Sequence, residues 1–598
     1  MTTHGFTLAH VTHEAVEHLG GIGTVLEGLM TSPVYQRHVR RSILVGPTQA
    51  RLQNDPEARL GSEGTVLYSS IDGIDRADLA GRFRPIEWAF NVAIVYGRRR
   101  YMVPGDASRT GEAEVLLIDV FQTNHDRLNV FKARLWETFG FDAARYEKSW
   151  DFEEYARIAE PAFYTLVSLL NDDELPCVLI SHEFMGMPTA LQAILDGNER
   201  FRTVFHAHEC ATARHLVENH PGHDTMYYNV MDRARARGLY AGDVFGDLDH
   251  LFRHALVRRS HLCDGVIAVG DRTRDELQFL DPHFDDQPID LVYNGLPAGP
   301  VDLASKLASR RMLMEYGRAL LETEREPDVL MTHVTRPVIS KGMWRDMKVC
   351  HALDAQLADR GLTGLLIVLT TAAGVRRTSD VVAMEHSYGW PRHHRHGYPD
   401  LVGPEVQLYQ DIEGFNQYHT AIQIVLVNQF GWSTSRIGRR LPETMSIADL
   451  RRATDVEFGM ATYEPFGISP LEPLGAGAIC VISSVCGCEG LVEHVTNGEG
   501  AHNVISADFT RLPDGFDGHD LDGLQQMSQQ DRDGIEQLEA DRVAAELMRR
   551  LPENDAARQA LIESGQALVS RMGWDQCIEE GLVPLLERIA SDAKRAVA

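Results

Sequence analysis

The 598-residue sequence reads as an α/β protein of two similar halves, each built on a parallel sheet, with a helical C-terminal tail. Three observations predict this. Short apolar runs of strand length alternate with amphipathic helical patterns. The alternation stops at a stretch rich in proline and glycine, then begins again. From residue 524 onward the pattern is mostly helical. A chain this long also exceeds what one ordinary core supports, so two or more domains are expected.

In the first half the strand candidates are 6–11, 42–46, 115–120, 177–181, 203–206, 265–269 and 289–293. Helical patterns at 152–170, 251–261 and 271–280 lie between them, which implies parallel strands joined by right-handed crossovers. The run Asn294-Gly295-Leu296-Pro297-Ala298-Gly299-Pro300 marks the boundary. Strands resume at 329–334, 364–370, 422–427, 456–461, 479–482 and 503–506. The expected domains are 1–300, 325–570 and a terminal helix within 571–598, opened by Trp574 and packing back toward the first domain. Segments 51–110 and 376–411 fit no assigned pattern, and no short-period repeat or low-complexity segment is present.

Bulk chemistry narrows the function. A formal charge of −28 argues against nucleic acid or an anionic membrane as the main partner. No apolar run approaches the roughly 20 residues of a membrane span, and residues 1–10 lack the basic and apolar regions of a secretory signal. Eight scattered cysteines suit a reducing compartment, so a soluble cytoplasmic enzyme is expected. A homo-oligomer is compatible with all of this.

The most informative segment is Glu464-Pro465-Phe466-Gly467-Ile468-Ser469-Pro470-Leu471-Glu472. It follows the strand candidate 456–461, so Glu464 sits at a strand's carboxyl end, where ligands of open α/β sheets bind. Gly467 allows close backbone approach, Phe466 shapes the turn, and Glu472 is expected just inside a following helix. Two hydroxyl-accepting carboxylates beside a helix N-terminus suit a sugar nucleotide. The pattern resembles the Glu-x7-Glu signature of retaining glycosyltransferases with the GT-B architecture, two Rossmann-like α/β domains facing a central cleft. In wording it is similar to the glycogen and starch synthases, most of all the fungal and animal glycogen synthases. The resemblance implies that Glu464 lies near the donor sugar and Glu472 near the ribose.

Further islands carry the same resemblance in chain order. His18-Leu19-Gly20-Gly21-Ile22-Gly23-Thr24-Val25 resembles the family's Lys-x-Gly-Gly element, with His18 standing where the family carries lysine. Glycines at a strand-to-helix turn allow a phosphate or sugar to approach, so His18, Gly20 and Gly21 are binding candidates. Thr335-Arg336-Pro337-Val338-Ile339-Ser340-Lys341-Gly342 places a guanidinium and an ammonium on one loop; the resemblance assigns Arg336 and Lys341 to the diphosphate. In Phe205-His206-Ala207-His208-Glu209, the resemblance places His208 beside the donor sugar, with Arg214 six residues on. His206, His208 and Glu209 are also metal-ligand types, but alternation along a strand turns Glu209 away from the histidines, and no metal is expected. Tyr227–Asp232 and 264–270 continue the order, and Asn294 in the Asn-Gly turn closes it as a binding candidate.

Three other signals are given bland readings. Pro391-Arg392-His393-His394-Arg395-His396 is expected as a polar surface loop, Cys486-Gly487-Cys488 as a tight turn, and Asp247-Leu248-Asp249 as acids at a helix start. The resemblance implies a metal-independent, cofactor-free enzyme moving glucose from UDP-glucose or ADP-glucose to an α-1,4-glucan. Its catalytic groups would be His208, Glu464, Arg336 and Lys341. Two alternatives stay open: a retaining GT-B transferase with a small acceptor, and a silent glucan-binding or regulatory homologue.

Overall fold

The computed structural model describes residues 5–16, 20–48, 55–103, 106–297, 299–516 and 520–591. The chain divides into two compact units, the first made of residues 1–212, 235–295 and 574–598, the second of 213–234 and 296–573.

The first unit is built on strands β1 (Phe6–Val11), β2 (Val39–Pro47), β3 (Gly64–Ser69), β4 (Ile74–Asp75), β5 (Ala93–Val103), β6 (Asp106–Asp119), β7 (Cys177–His182), β8 (Phe201–Ala207), β9 (Gly265–Ala268) and β10 (Ile289–Leu291). They form one sheet in the order β10-β9-β8-β7-β1-β2-β6-β5-β3-β4. From β10 to β6 neighbouring strands are parallel. β5 and β3 then run antiparallel to their neighbours. All seven strands read from the sequence of this half exist, and the expected parallel sheet carries an antiparallel extension at this edge. The segment 51–110 that fitted no pattern supplies most of the antiparallel extension. Its strands are half polar, with Arg98, Arg99 and Arg100 in β5, so they lack the continuous apolar run of a strand covered on both faces.

Strand order reverses at β1, with β2 on one side and β7 on the other. The helix Gly21–Met30 follows β1, and the helix Glu183–Asp196 follows β7 directly. The last described residues, Trp574 to Ser591, belong to this unit. Trp574 leaves no room for side chains at two glycines: a Cβ on Gly28 would lie 2.1 Å from its ring, and one on Gly295 would lie 2.4 Å from its backbone.

The second unit contains β11 (Val329–Val334), β12 (Gly364–Leu369), β13 (Ile422–Val427), β14 (Val456–Gly459), β15 (Ile479–Ser483) and β16 (Val504–Ala507). All are parallel, in the order β13-β12-β11-β14-β15-β16, so strand order reverses between β11 and β14. Met331, Leu366, Ile424 and Phe458 pack with Val349, Leu353 and Leu547 in one core cluster; Leu330, Leu365 and Val425 pack with Leu313, Tyr316 and Trp390 in another. The near-continuous apolar runs that identified these strands reflect burial on both faces.

The unassigned segment 376–411 holds buried polar architecture in this unit. Arg376, 1% exposed, bonds Glu405 Oε2 at 2.7 Å, the carbonyls of Pro399 and Asp400 at 2.6 Å each, and Thr371 Oγ1 at 2.9 Å. The histidine-rich run is a surface loop at His393, Arg395 and His396, as expected, but not at His394. Trp390 is fully buried, and the His394 ring, also buried, bonds Asp400 at 2.8 Å and the Leu426 carbonyl at 2.9 Å. His394 serves a carbonyl at the end of β13, a pairing invisible to composition.

Residues 213–234 are held in the second unit by hydrogen bonds from Thr225 to the Phe509 carbonyl (2.9 Å) and from Asn229 to the Thr510 carbonyl (2.7 Å). Asp224 is fully buried and accepts from Arg345 Nη2 at 2.6 Å. Arg345 also donates to Glu536 at 2.9 Å and to the carbonyls of Met460 and Ala461, with its guanidinium 4.1 Å from the Phe509 ring centre. Burial works against the Arg345 charge, but the two carboxylates outweigh it and raise its affinity for the proton. Breaking a buried network by removing its central cation is far costlier than never having built one. We therefore expect Arg345→Met to lower the unfolding free energy of the second unit by about 3–5 kcal/mol. Urea titration would read this, and a loss below about 1 kcal/mol would mean that the network is no stronger than a surface pair.

Candidate active site

In open α/β sheets the crevice beyond the strand ends, where strand order reverses, is the place built for ligands. In the second unit the reversal lies between β11 and β14, and the two loops leaving those strands carry Arg336, Lys341, Glu464 and Glu472. Sequence distance concealed this, since more than a hundred residues separate the loops. The Ser340 carbonyl joins them, accepting from Thr462 N–H at 2.8 Å and Tyr463 N–H at 3.1 Å. Gly342 permits the approach: its φ is +59°, and a Cβ there would sit 2.5 Å from the Met460 carbonyl oxygen.

Lys341 Nζ donates directly to Glu464 Oε2, so the predicted diphosphate ligand and the predicted sugar ligand touch. Arg336, on the same loop, is exposed and forms no ion pair among the described residues. The turn after Glu464 is fixed from behind. Gly487 N–H donates to the Glu464 carbonyl at 3.0 Å, and Cys488 N–H to the Phe466 carbonyl at 2.7 Å. Phe466 is buried at 3%, and Gly467 adopts φ +90° with its Cα too close to Glu464 for a side chain. Arg214 stacks its guanidinium 5.2 Å from the centre of the Tyr463 ring and pairs with Glu218 at 3.5 Å. Its segment belongs to this unit, which places Arg214 one residue from Glu464.

Glu472 is not inside an α-helix as expected. It ends the 3-10 turn Ser469–Leu471, and a second such turn, Leu474–Ala476, follows. Pro470 and Pro473 deny the chain the donors and the geometry of a continuous helix, so no helix N-terminus offers N–H groups to a phosphate here. The carboxylate is oriented instead by Arg451, whose Nε and Nη2 reach Glu472 Oε2 at 2.8 and 2.6 Å. Arg451 also pairs with Glu457 at 2.8 Å, beneath the site. Burial raises the proton affinity of Glu457 despite Arg451 beside it. Sequence reasoning missed Arg451, which sits on the preceding helix Ile447–Ala453 and carried no motif signal.

A cavity of about 560 Å³ opens beside Ile339, lined by His223, Trp344, Lys348 and Arg532 among others. It contains none of the predicted site residues, and Asp533 lies 3.2 Å from Lys348 and 3.3 Å from Arg532.

The first unit has its own cluster at the reversal between β1 and β7. His208, immediately after β8, bonds His182 at the end of β7, and His182 bonds His10 near the end of β1. His182, His206 and His208 bring nitrogens within 4.8 Å of one another, a spacing that could hold a metal ion. Within this group His182 and His208 hydrogen-bond at 2.8 Å, the His206 and His208 rings stack with centres 4.0 Å apart and planes 29° apart, and His206 Nε2 is buried with no hydrogen-bond partner among the described residues. Asn294 and His10, with His206, line a small cavity of about 10 Å³ in the same unit. Asp249 pairs with Arg258 at 3.3 Å.

His18 lies outside the described residues. Gly20 and Gly21 open the helix Gly21–Met30, but a protein carboxylate already occupies this start. Glu14, 2% exposed, accepts from Gly23 N–H at 2.7 Å, and a Cβ on Gly20 would come 2.9 Å from Glu14 Oε1. Burial alone would raise the Glu14 pKa; the hydrogen bonds from His13 and Gly23 outweigh it and bring it below its ordinary value.

The comparisons with known proteins bear on the fold. No protein-family model matches this chain, and no curated protein matches it in sequence. Among solved structures, the catalytic domain of starch synthase IV from Arabidopsis thaliana, bound to ADP and acarbose, is similar over 98% of this chain and 100% of that one, at 14% identity and a TM-score of 0.53. The fold is GT-B. A UDP-forming α,α-trehalose-phosphate synthase from Burkholderia xenovorans in complex with glucose-6-phosphate aligns over 98% of this chain and 100% of its own, at 13% identity and a TM-score of 0.49. A sucrose-phosphate synthase from Thermosynechococcus elongatus aligns over the same shares, at 12% identity and 0.46. In this GT-B chain the helical C-terminal region is present as expected, and among the described residues no helix is long and apolar enough to cross a membrane.

The Glu14 contact yields a prediction with a defined pH sign. A carboxylate whose folded pKa is lowered stabilises above its ordinary value, near 4.5, and loses that contribution as pH falls through the folded value. Glu14→Gln should therefore cost about 1–2 kcal/mol at pH 7, and the gap from wild type should narrow in acid. A gap that stays constant from pH 7 to below 4 would show that charge at this helix start is immaterial.

Proposed function

We propose that this protein is a retaining, metal-independent glycosyltransferase that moves glucose from a nucleotide-diphosphate sugar to an α-1,4-glucan. The observation that carries the reading is the contact between Lys341 and Glu464 at the strand reversal of the second unit. Cleaving an anomeric bond builds negative charge on the departing diphosphate and positive charge on the sugar ring. A site for that step needs cations and a carboxylate side by side, fixed before the reaction. Arg336 and Lys341 would take the diphosphate. Glu464 would hold sugar hydroxyls and favour the oxocarbenium-like carbon.

Glu472 suits a ribose because Arg451 engages Oε2 while Oε1 has no bonded partner among the described residues. His208 is assigned to a sugar hydroxyl on the strength of its motif. The helix starts expected to supply phosphate donors contribute less to this proposal than the side chains do, since one is filled by Glu14 and the other is absent. No covalent nucleophile is proposed: the acceptor hydroxyl attacks from the face the diphosphate leaves.

Purified protein incubated with UDP-glucose and ADP-glucose, each with glycogen and with glucose 6-phosphate, tests the reading. ADP-glucose has a particular claim to inclusion, because the similar starch synthase IV was solved bound to ADP. Transfer to glycogen supports the proposal, transfer to glucose 6-phosphate alone moves it to a small acceptor, and no transfer from either donor overturns it.

The two carboxylates should also separate. Glu464→Gln is expected to lower the maximal rate, by about a hundredfold or more, with nucleotide affinity kept. Glu472→Gln should mainly raise the donor KM. Calorimetry of nucleotide diphosphate beside steady-state rates would show a reversed assignment directly. Arg336→Ala should lose turnover by a similar factor while the fold stays intact.

A further inference from the structure

Beyond the catalytic groups, the first unit contains a line of hydrogen bonds that no expectation accounted for. Ser42 Oγ lies 2.8 Å from Tyr35 Oη, Tyr35 Oη lies 3.0 Å from His10 Nε2, His10 Nδ1 lies 2.9 Å from His182 Nε2, and His182 Nδ1 lies 2.8 Å from His208 Nε2. Tyr35, His10 and His182 are buried; His208 at the end keeps partial exposure. Topology assembles the line, for β1 supplies His10, β7 supplies His182 in the neighbouring strand, and His208 follows β8.

The imidazoles in this line are neutral. Burial is the first cause for each ring and holds His10 and His208 down to about 3, with His182 well below its ordinary value. For His208, Glu14 pulls the other way, and His13 and His10 add to the lowering. A neutral imidazole has one N–H and one lone pair, and each contact must match a donor to an acceptor. Because every link joins Nδ1 of one ring to Nε2 of the next, only two arrangements satisfy all three rings. Either all carry the proton on Nε2 and the line donates toward Tyr35, or all carry it on Nδ1 and Tyr35 donates into the line. A mixed arrangement sets two N–H groups, or two lone pairs, against each other.

We propose that Tyr35, His10 and His182 are positioning residues that set which nitrogen of His208 carries its proton. This rests on the reading that His208 meets a sugar hydroxyl: its Nδ1, the nitrogen outside the line, would then be a donor in one arrangement and an acceptor in the other. Ser42 and Tyr35, at the far end, thereby decide what His208 offers. No bond other than hydrogen bonds is made, and each ring keeps one proton.

The test is the tautomer of each ring, read from long-range proton–nitrogen spectra of the full chain labelled with 15N-histidine. The three signals are assigned by their loss in His10→Gln, His182→Gln and His208→Gln. In the wild type, His10, His182 and His208 should share one tautomer. In Tyr35→Phe a ring N–H on His10 Nε2 would have no acceptor, whereas a bare lone pair is tolerated better, so all three should carry the proton on Nδ1. Ser42→Ala should do the same, because the tyrosine hydroxyl then has only His10 to donate to; it serves if Tyr35→Phe fails to fold. Mixed tautomers in the wild type, or His208 protonated on Nε2 in either variant, would overturn the proposal. Failure of the sugar reading is seen separately, as unchanged transfer kinetics in His208→Gln while the tautomers still move together.

Discussion

The second unit depends on one buried guanidinium. Arg345 joins three parts of the chain that are distant in sequence: Asp224 from the first half, Glu536 from the long helix Gln529–Arg550, and the carbonyls of Met460 and Ala461 just ahead of Glu464. A planar fork with five donors can serve carboxylates and carbonyls together, which a lysine cannot. The geometry of the Glu464 turn is thus tied to the packing of elements far from it in sequence. The environment treats the two carboxylates unequally. Desolvation dominates at Asp224 and raises its pKa, whereas at Glu536 desolvation is outweighed by Arg345, Arg532 and Lys348, and the pKa falls.

The two strand reversals carry opposite electrostatic solutions. In the second unit charges are concentrated and paired, Lys341 on Glu464 and Arg451 between Glu457 and Glu472. In the first, charge is removed, and stacked neutral rings meet end to end and face to face. A low-dielectric interior penalises an unpaired polar group whichever solution is used. Charges answer with partners of opposite sign, imidazoles by agreeing on a common direction. Each unit therefore organises its strand ends by a rule that a substitution in the other could not supply.

Much of the fold was legible because parallel strands covered on both faces leave continuous apolar runs, as in Ile422–Val427 and Ile479–Ser483. The residues 64–103 were not, since β3 is short and Arg98, Arg99 and Arg100 interrupt the apolar run of β5. For the candidate site, motif spacing identified Glu464, Lys341 and Arg336, and the structure brings the first two into contact. It could not identify Arg451, His10 or His182, whose significance lies in which strand neighbours which. The helix expected around Glu472 failed for a local reason that was readable in principle: prolines at 470 and 473 flank the position. Glu14 is the converse case, a polar residue without a motif that fills a site assigned to a ligand.

The division of the chain has a consequence for how it comes off the ribosome. The first unit contains β1 and is finished only by Trp574 to Ser591, whose tryptophan fills the space that Gly28 and Gly295 leave open. The second unit also draws on residues 213–234, yet all its parts have been made before the last helices of the first emerge. Vectorial synthesis therefore completes the second unit first, while a nearly finished sheet waits, with the place for Trp574 empty, for residues 574–591. Aggregation during expression should then be governed by that interval, and a premature stop shortly before Trp574 should harm the half of the protein that was translated earliest.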